Sequence, residues 1–225
     1  MKVTARDIRL IRDLALSHLL SRDQIITLGY FSSVTRANTR LRDLSAKKLV
    51  RRLETPFFVQ SLYMAGPLAH EILETRLAKL LESRTDSPRF VRHALAVSNV
   101  RIALTQKGGE WRFEQQLWRT VPGKTPLALR PDGLLVTSTL PIFIEVDMGN
   151  VSIPKFKEKL SGYSVLAHPT ICQSLYGFPE FRLLTVTTGT LRSRHLRSAM
   201  PSHPGFAMLC QTFEEIGASP IPNWS

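Results

Sequence analysis

The chain has 225 residues, 43% of them hydrophobic and 21% charged, which is room for one large globular domain or two small ones. No apolar run approaches the roughly 18 residues of a membrane span. The N-terminus lacks an apolar signal core, and the two cysteines form no CxxC pair, so the expectation is a cytoplasmic protein with no membrane partner and no structural zinc. Thirty Lys+Arg against 18 Asp+Glu leave a net charge of +12 and a pI near 10.3, which points to a polyanionic partner, nucleic acid before an acidic lipid surface.

In chain order, Ile8, Ile11, Leu14 and Ala15 recur at helical spacing and predict a helix over Ala5–Ser17, with Thr4 as its N-cap. Ser21 caps a second, short helix that Gly29 stops. Ser32 or Ser33 starts a third, carried by Leu41, Leu44 and Leu49. Leu49–Leu53 and Phe57–Met64 flank a Thr55-Pro56 break and predict a β-ribbon, after which Pro67 opens a fourth helix to about Leu81. The polar stretch Ser83–Pro88 predicts a linker, dividing the chain into residues 1–85 and 86–225. Beyond it come a helix over Phe90–Gln106 and strands over Glu110–Trp118, Pro131–Thr137 and Pro141–Val146. A helix over Ile153–Val165, a strand over Phe181–Thr187 and a helix over Thr190–Ser198 follow, and Ala218–Ser225 reads as a loose tail. That order is α-β-β-β-α-β, a mixed α/β (α+β) domain.

The bases of the first half are concentrated. Arg36, Arg40, Arg42, Lys47, Lys48, Arg51 and Arg52 share a short window with one acid, Asp43. Arg36 and Arg40 are four residues apart and share a helical face, while Thr35, Asn38 and Thr39 add short polar side chains that can reach base edges or phosphates. Taken alone, this is a solvated amphipathic helix. As the third helix of a compact unit, followed by a ribbon with Arg51-Arg52 at its base, it reads as the recognition helix of a winged helix-turn-helix that binds double-stranded DNA.

In the second half, Asp132 opens one strand, within Arg130-Pro131-Asp132-Gly133. Glu145 and Asp147 lie two apart on the next, so they project from one face. Carboxylates on neighbouring strands can converge on Mg²⁺ or Mn²⁺, with Glu114 as a further wall and Lys159 on the following helix as a cation for the same site. The competing reading makes Pro131-Asp132-Gly133 a plain turn and the acids a solvated strand face. Ile142-Phe143-Ile144 argues against it by marking a buried central strand, at whose end α/β sheets build sites.

The order Leu62-Tyr63-Met64-Ala65-Gly66, Arg92-His93-Ala94-Leu95-Ala96-Val97, Trp111 to Glu114, Arg130-Pro131-Asp132-Gly133, Glu145-Val146-Asp147 and Lys159-Leu160-Ser161-Gly162-Tyr163 resembles the replication-relaxation family of plasmid and mobile-element proteins, over roughly residues 5–190. The resemblance implies a winged helix joined to a restriction-endonuclease-like PD-(D/E)xK domain. It also implies a role in plasmid DNA relaxation, as in mobilisation relaxases of the C class, with a metal-dependent nicking site where that site is intact. Asp132 and Glu145 match the nuclease pattern, but Asp147 stands where its lysine belongs, so Lys159 is expected to substitute from the next helix.

Two functions stay open. One is a nicking or relaxing enzyme at an origin of transfer or replication. Asp132, Glu145 and Lys159 would be its catalytic residues, and Glu114, Asp132, Glu145 and Asp147 would hold Mg²⁺ or Mn²⁺. The other is a non-enzymatic DNA-binding regulator or relaxosome accessory on a dead nuclease fold. Relaxosome or mobilisation proteins and a second copy of the chain are the protein partners either would take.

Overall fold

The structure, a computed structural model, describes residues 2–55, 61–75, 77, 87–123, 126–200 and 206–218. The chain separates into two compact units, the first running to Ile102 and the second over Ala103–Pro220.

In the first unit, helices α1 (Ala5–Leu16), α2 (Arg22–Thr27) and α3 (Val34–Ala46) accompany strands β1 (Leu20–Ser21), β2 (Val50–Leu53) and β3 (Leu62–Ala65). The predicted caps start all three helices. Thr4 and Asp7 form a reciprocal capping box on α1, Ser21 and Gln24 another on α2, and the Ser33 hydroxyl accepts from the Arg36 amide at the start of α3. Leu10, Ile11 and Leu14 of α1 meet Ile25 of α2, Leu41 and Leu44 of α3, and Val50 and Tyr63 of the sheet in one buried core. The three strands pair antiparallel in the order β1-β3-β2, which is the arrangement of a winged helix-turn-helix with β2 and β3 as the arms of the wing. The start of the second wing strand expected at Phe57, at residues 57–60, lies outside the described residues. In place of the helix expected from Pro67, residues Pro67–Glu71 form a single 3₁₀ turn, and its expected continuation to Leu81 lies largely outside the described residues.

Helix α4 (Pro88–Thr105) corrects the expected division of the chain. Its greater part belongs to the first unit, so the boundary falls after Ile102 rather than after residue 85. The cause is polar as well as apolar. The Arg101 guanidinium donates to both carboxylate oxygens of Asp13 in α1, at 2.5 and 2.9 Å. The Gln24 amide donates to the Leu95 carbonyl at 2.9 Å and to the Asn99 side chain at 2.7 Å. Val91, Ala94 and Leu95 pack on Leu19, Leu62 and Met64. Most of the linker expected at Ser83–Pro88, and of the expected tail after Ala218, lies outside the described residues.

The second unit is built on a five-stranded sheet in the order β10-β9-β8-β7-β4, formed by β4 (Glu110–Phe113), β7 (Gly133–Val136), β8 (Ile142–Asp147), β9 (Arg182–Thr187) and β10 (Ala207–Thr212). Strands β4, β7 and β8 pair antiparallel, while β8, β9 and β10 pair parallel through helical crossovers. Helices α6 (Ile153–Leu166) and α7 (Pro169–Tyr176) precede β9, and α8 (Thr190–Ala199) precedes β10. Phe143, Tyr163, Tyr176, Phe181, Leu183 and Leu196 share one core. The expected α-β-β-β-α-β order is therefore present as α4-β4-β7-β8-α6-β9.

Three additions had no expectation: α7, β10 with the short α9 (Phe213–Ile216), and a ribbon of β5 (Arg119–Val121) and β6 (Leu127–Leu129). The strand expected over Glu110–Trp118 stops at Phe113. There the Gln116 side chain accepts the Phe113 amide at 2.9 Å, and the chain turns into the short helix α5 (Glu114–Leu117), which buries Leu117. Gly133 is needed for space. A Cβ there would lie 2.0 Å from the Trp111 ring, because the indole on β4 covers the start of β7.

Candidate functional site

On α3, Ala37, Leu41 and Leu44 face the core, while Thr35, Asn38, Thr39 and Arg42 are exposed. Their spacing of i, i+3, i+4 and i+7 places those four on one outward stripe. Arg36, Lys47, Lys48, Arg51 and Arg52 are exposed beside it, so the expected basic face is present as a surface. Arg40 has a different place. Its guanidinium turns back across α1 and donates to both oxygens of Asp7, one at 3.0 Å, and to the Lys2 carbonyl at 2.9 Å. Asp7 is fully buried. Burial opposes its charge, but the bonds from Arg40 and Thr4 outweigh that and hold the carboxyl at about 2. Arg40 thus fastens α3 to α1, in contrast to the DNA-facing role expected of it, because the nearest carboxylate lies inside the unit.

In the second unit the structure brings Asp132, Glu145 and Lys159 together. Glu145 leaves β8 towards α6 and is only 6% exposed. One carboxylate oxygen accepts from the Lys159 ammonium. The other accepts from the Tyr163 hydroxyl at 2.5 Å. Lys159 and Tyr163 are four apart on α6, so one helix face carries both. Asp132, at the mouth of β7, accepts the Val146 amide at 2.7 Å and adds its charge to the cluster. Burial, reinforced by the Asp132 charge and only partly offset by Lys159 and Tyr163, pushes the Glu145 carboxyl up to about 7. Burial works against the Lys159 charge too, but the negative charges of Glu145, Asp132 and Glu114 outweigh it, and the ammonium is held above the usual lysine range.

Asp147 does not join this cluster although it shares a face with Glu145. Arg192 of α8 grips it with two bonds at 2.7 and 2.9 Å, and the Thr187 hydroxyl of β9 adds a third at 2.8 Å. Burial opposes its charge, yet those bonds hold its carboxyl below the ordinary range. Glu114 stands at the edge, accepting the Trp118 indole N–H at 3.2 Å. Among the described residues no three side chains of the metal-ligating types converge on one point. As arranged, the donor set does not fit a divalent cation: Lys159 and Tyr163 engage both oxygens of Glu145, and Arg192 and Thr187 hold Asp147 away.

The sequence assigns no role to Tyr163 or Arg192. The i+4 spacing from Lys159 would have found Tyr163. Nothing local marks Arg192, which reaches Asp147 only because α8 follows β9 in the sheet.

No curated protein matches the chain. Among solved structures, the crystal structure of protein VC1899 from Vibrio cholerae is similar at 12% identity, with a TM-score of 0.31, over 96% of this chain and 55% of that one. The chain thus spans about half the length of that protein. The replication-relaxation family model matches residues 11–180, which take in the winged helix-turn-helix from the middle of α1 onward, the Asp132–Glu145–Lys159 cluster and Asp147. The chain belongs to the replication-relaxation family.

Proposed function

We propose that this protein binds duplex DNA through α3 and the wing, as a DNA-binding member of the machinery that processes plasmid or mobile-element DNA. Membership of the replication-relaxation family connects the chain with that process. The observation that carries the proposal is the outward stripe Thr35–Asn38–Thr39–Arg42, backed by a docked apolar face and flanked by exposed Arg36, Lys47, Lys48, Arg51 and Arg52. Arg and Lys on such a face neutralise phosphates, and Asn and Thr are the side chains that read base edges. Replacing Asn38 and Arg42 by alanine should weaken duplex binding at least tenfold and lower the salt slope by about one unit per lost phosphate contact. Unchanged affinity and slope in the folded double variant would defeat the proposal.

A second reading, nicking at an origin of transfer or replication, is favoured by one observation: Asp132, Glu145 and Lys159 meet although the sequence places them on three separate elements. Mg²⁺ or Mn²⁺ is its expected cofactor, and the ion pairs on Glu145 and Asp147 oppose that expectation. A supercoiled-plasmid assay with and without Mn²⁺ decides it. Metal-dependent nicking that Asp132→Asn and Glu145→Gln abolish, with duplex binding intact, establishes the enzyme. Absence of nicking at every metal concentration leaves a DNA-binding protein on a nuclease-like fold. Relaxosome proteins and a second copy of the chain are the assemblies to look for in either case.

A further inference from the structure

Of the large hydrophobic side chains left exposed among the described residues, Trp118 is the only aromatic, at 46%. It is held, not loose. Its indole N–H donates to Glu114 at 3.2 Å, and the Arg130 guanidinium lies over the ring, 4.1 Å from its centroid. Pairing in the β5–β6 ribbon sets Arg119 opposite Leu129, so Trp118 and Arg130 are the residues immediately beyond that last pair, at the same end of the ribbon. A guanidinium on one face of an indole leaves a flat, electron-rich surface in a fixed orientation, which is what a base stacks upon.

This pair stands beside the carboxylate cluster. Arg130 is two residues from Asp132. Leu129 packs so closely on α6 that a Cβ on Gly162 would be 3.3 Å from it, and Lys159 lies one turn earlier on that helix. The Glu114 carboxylate that anchors the indole is near enough to Lys159 to favour its charged form. Trp118 and Arg130 are therefore tied to the cluster through Glu114 and through the packing of Leu129 on α6, which sets a surface for a base beside cationic side chains.

We infer that Trp118, braced by Arg130 and Glu114, is a stacking platform for an unpaired nucleobase of a DNA strand lying across the Asp132–Glu145–Lys159 cluster. The inference rests on the DNA-processing reading above, and it gives the second unit a ligand of its own, single-stranded DNA. Stacking recognises the flat face common to all bases, so the platform selects exposed bases over paired ones and not one sequence over another.

The test compares the full chain with its Trp118→Ala and Trp118→Phe variants against three probes: an oligothymidylate, an abasic strand of the same length, and a blunt duplex. The wild type should bind the oligothymidylate about tenfold or more tightly than the abasic strand, the size expected of one stacked base. Trp118→Ala should bind both strands alike, Trp118→Phe should keep part of the preference, and duplex affinity should be the same in all three. Equal binding of the two strands by the wild type, with duplex binding intact, overturns the platform and leaves the duplex-binding reading standing. A preference that survives in Trp118→Ala overturns it as well. Failure of the wild type to bind any of the three probes removes the DNA reading and the platform with it.

Discussion

Arg40 is a structural cation, tied to Asp7, on the same helix whose exposed side chains are proposed to contact DNA. Arg40→Ala leaves a fully buried Asp7 carboxylate with only its Thr4 bonds, of which the amide and hydroxyl contacts measure 2.7 and 2.6 Å. Removing one partner of a buried pair costs about 3–5 kcal/mol, and the retained Thr4 bonds put this case at the lower end, about 3 kcal/mol. The carboxyl's own titration sets the pH window. Its folded value of about 2 lies below the ordinary 3.8, so the pairing stabilises the fold above about pH 4 and is lost as pH falls through 2. That displacement corresponds to about 2 kcal/mol at neutral pH. Thermal unfolding of the wild type and Arg40→Ala at pH 7 and pH 3 should show a gap that narrows on acidification. A double-mutant cycle with Asp7→Asn should return a coupling of about 2 kcal/mol. The folded Asp7→Asn/Arg40→Gln variant should bind duplex DNA as the wild type does, in contrast to Arg42→Ala. If Arg40→Ala unfolds like the wild type at pH 7 and instead lowers the salt slope of DNA binding by one unit, Arg40 is a phosphate ligand and the reasoning fails.

Arg101→Met should destabilise the first unit by about 3 kcal/mol, because Asp13 is buried and loses a two-pronged partner; equal unfolding midpoints in denaturant would show that α4 does not secure that unit. Gly133→Ala should cost about 3 kcal/mol through the clash with Trp111, and Trp111→Leu in the same chain should recover part of it, whereas an unchanged stability would mean that β4 and β7 can move apart. The Glu145 carboxyl binds its proton more tightly in the folded state, at about 7 against an ordinary 4.5, so the wild type should gain stability as pH falls from 7 towards 4.5. Glu145→Gln should lack that gain; a parallel pH profile in the variant would refute the burial argument.

The sequence by itself determined the elements whose signals are local. Thr4, Ser21 and Ser33 cap α1, α2 and α3 because a side-chain oxygen reaches an amide three residues on, whatever the tertiary fold. Helical spacing in the first three helices, and the α-β-β-β-α-β order of the second half, followed from periodicity in the same way. The order of short motifs was also enough to point to the family. Pairing across distance was not legible. Arg36 and Arg40 look alike on a helical wheel, yet only the packing of α1 against α3 puts Asp7 under one of them. Glu145 and Asp147 look alike on β8, yet α6 brings Lys159 and Tyr163 to the first while α8 brings Arg192 to the second. The boundary after Ile102 escaped for the same reason, since the polar stretch near residue 85 marks a break in local pattern while α4 is held by Asp13 and Gln24, far back in the chain. A charged group's role is set by its nearest opposite charge, and in a folded chain that neighbour is chosen by tertiary packing rather than by sequence distance.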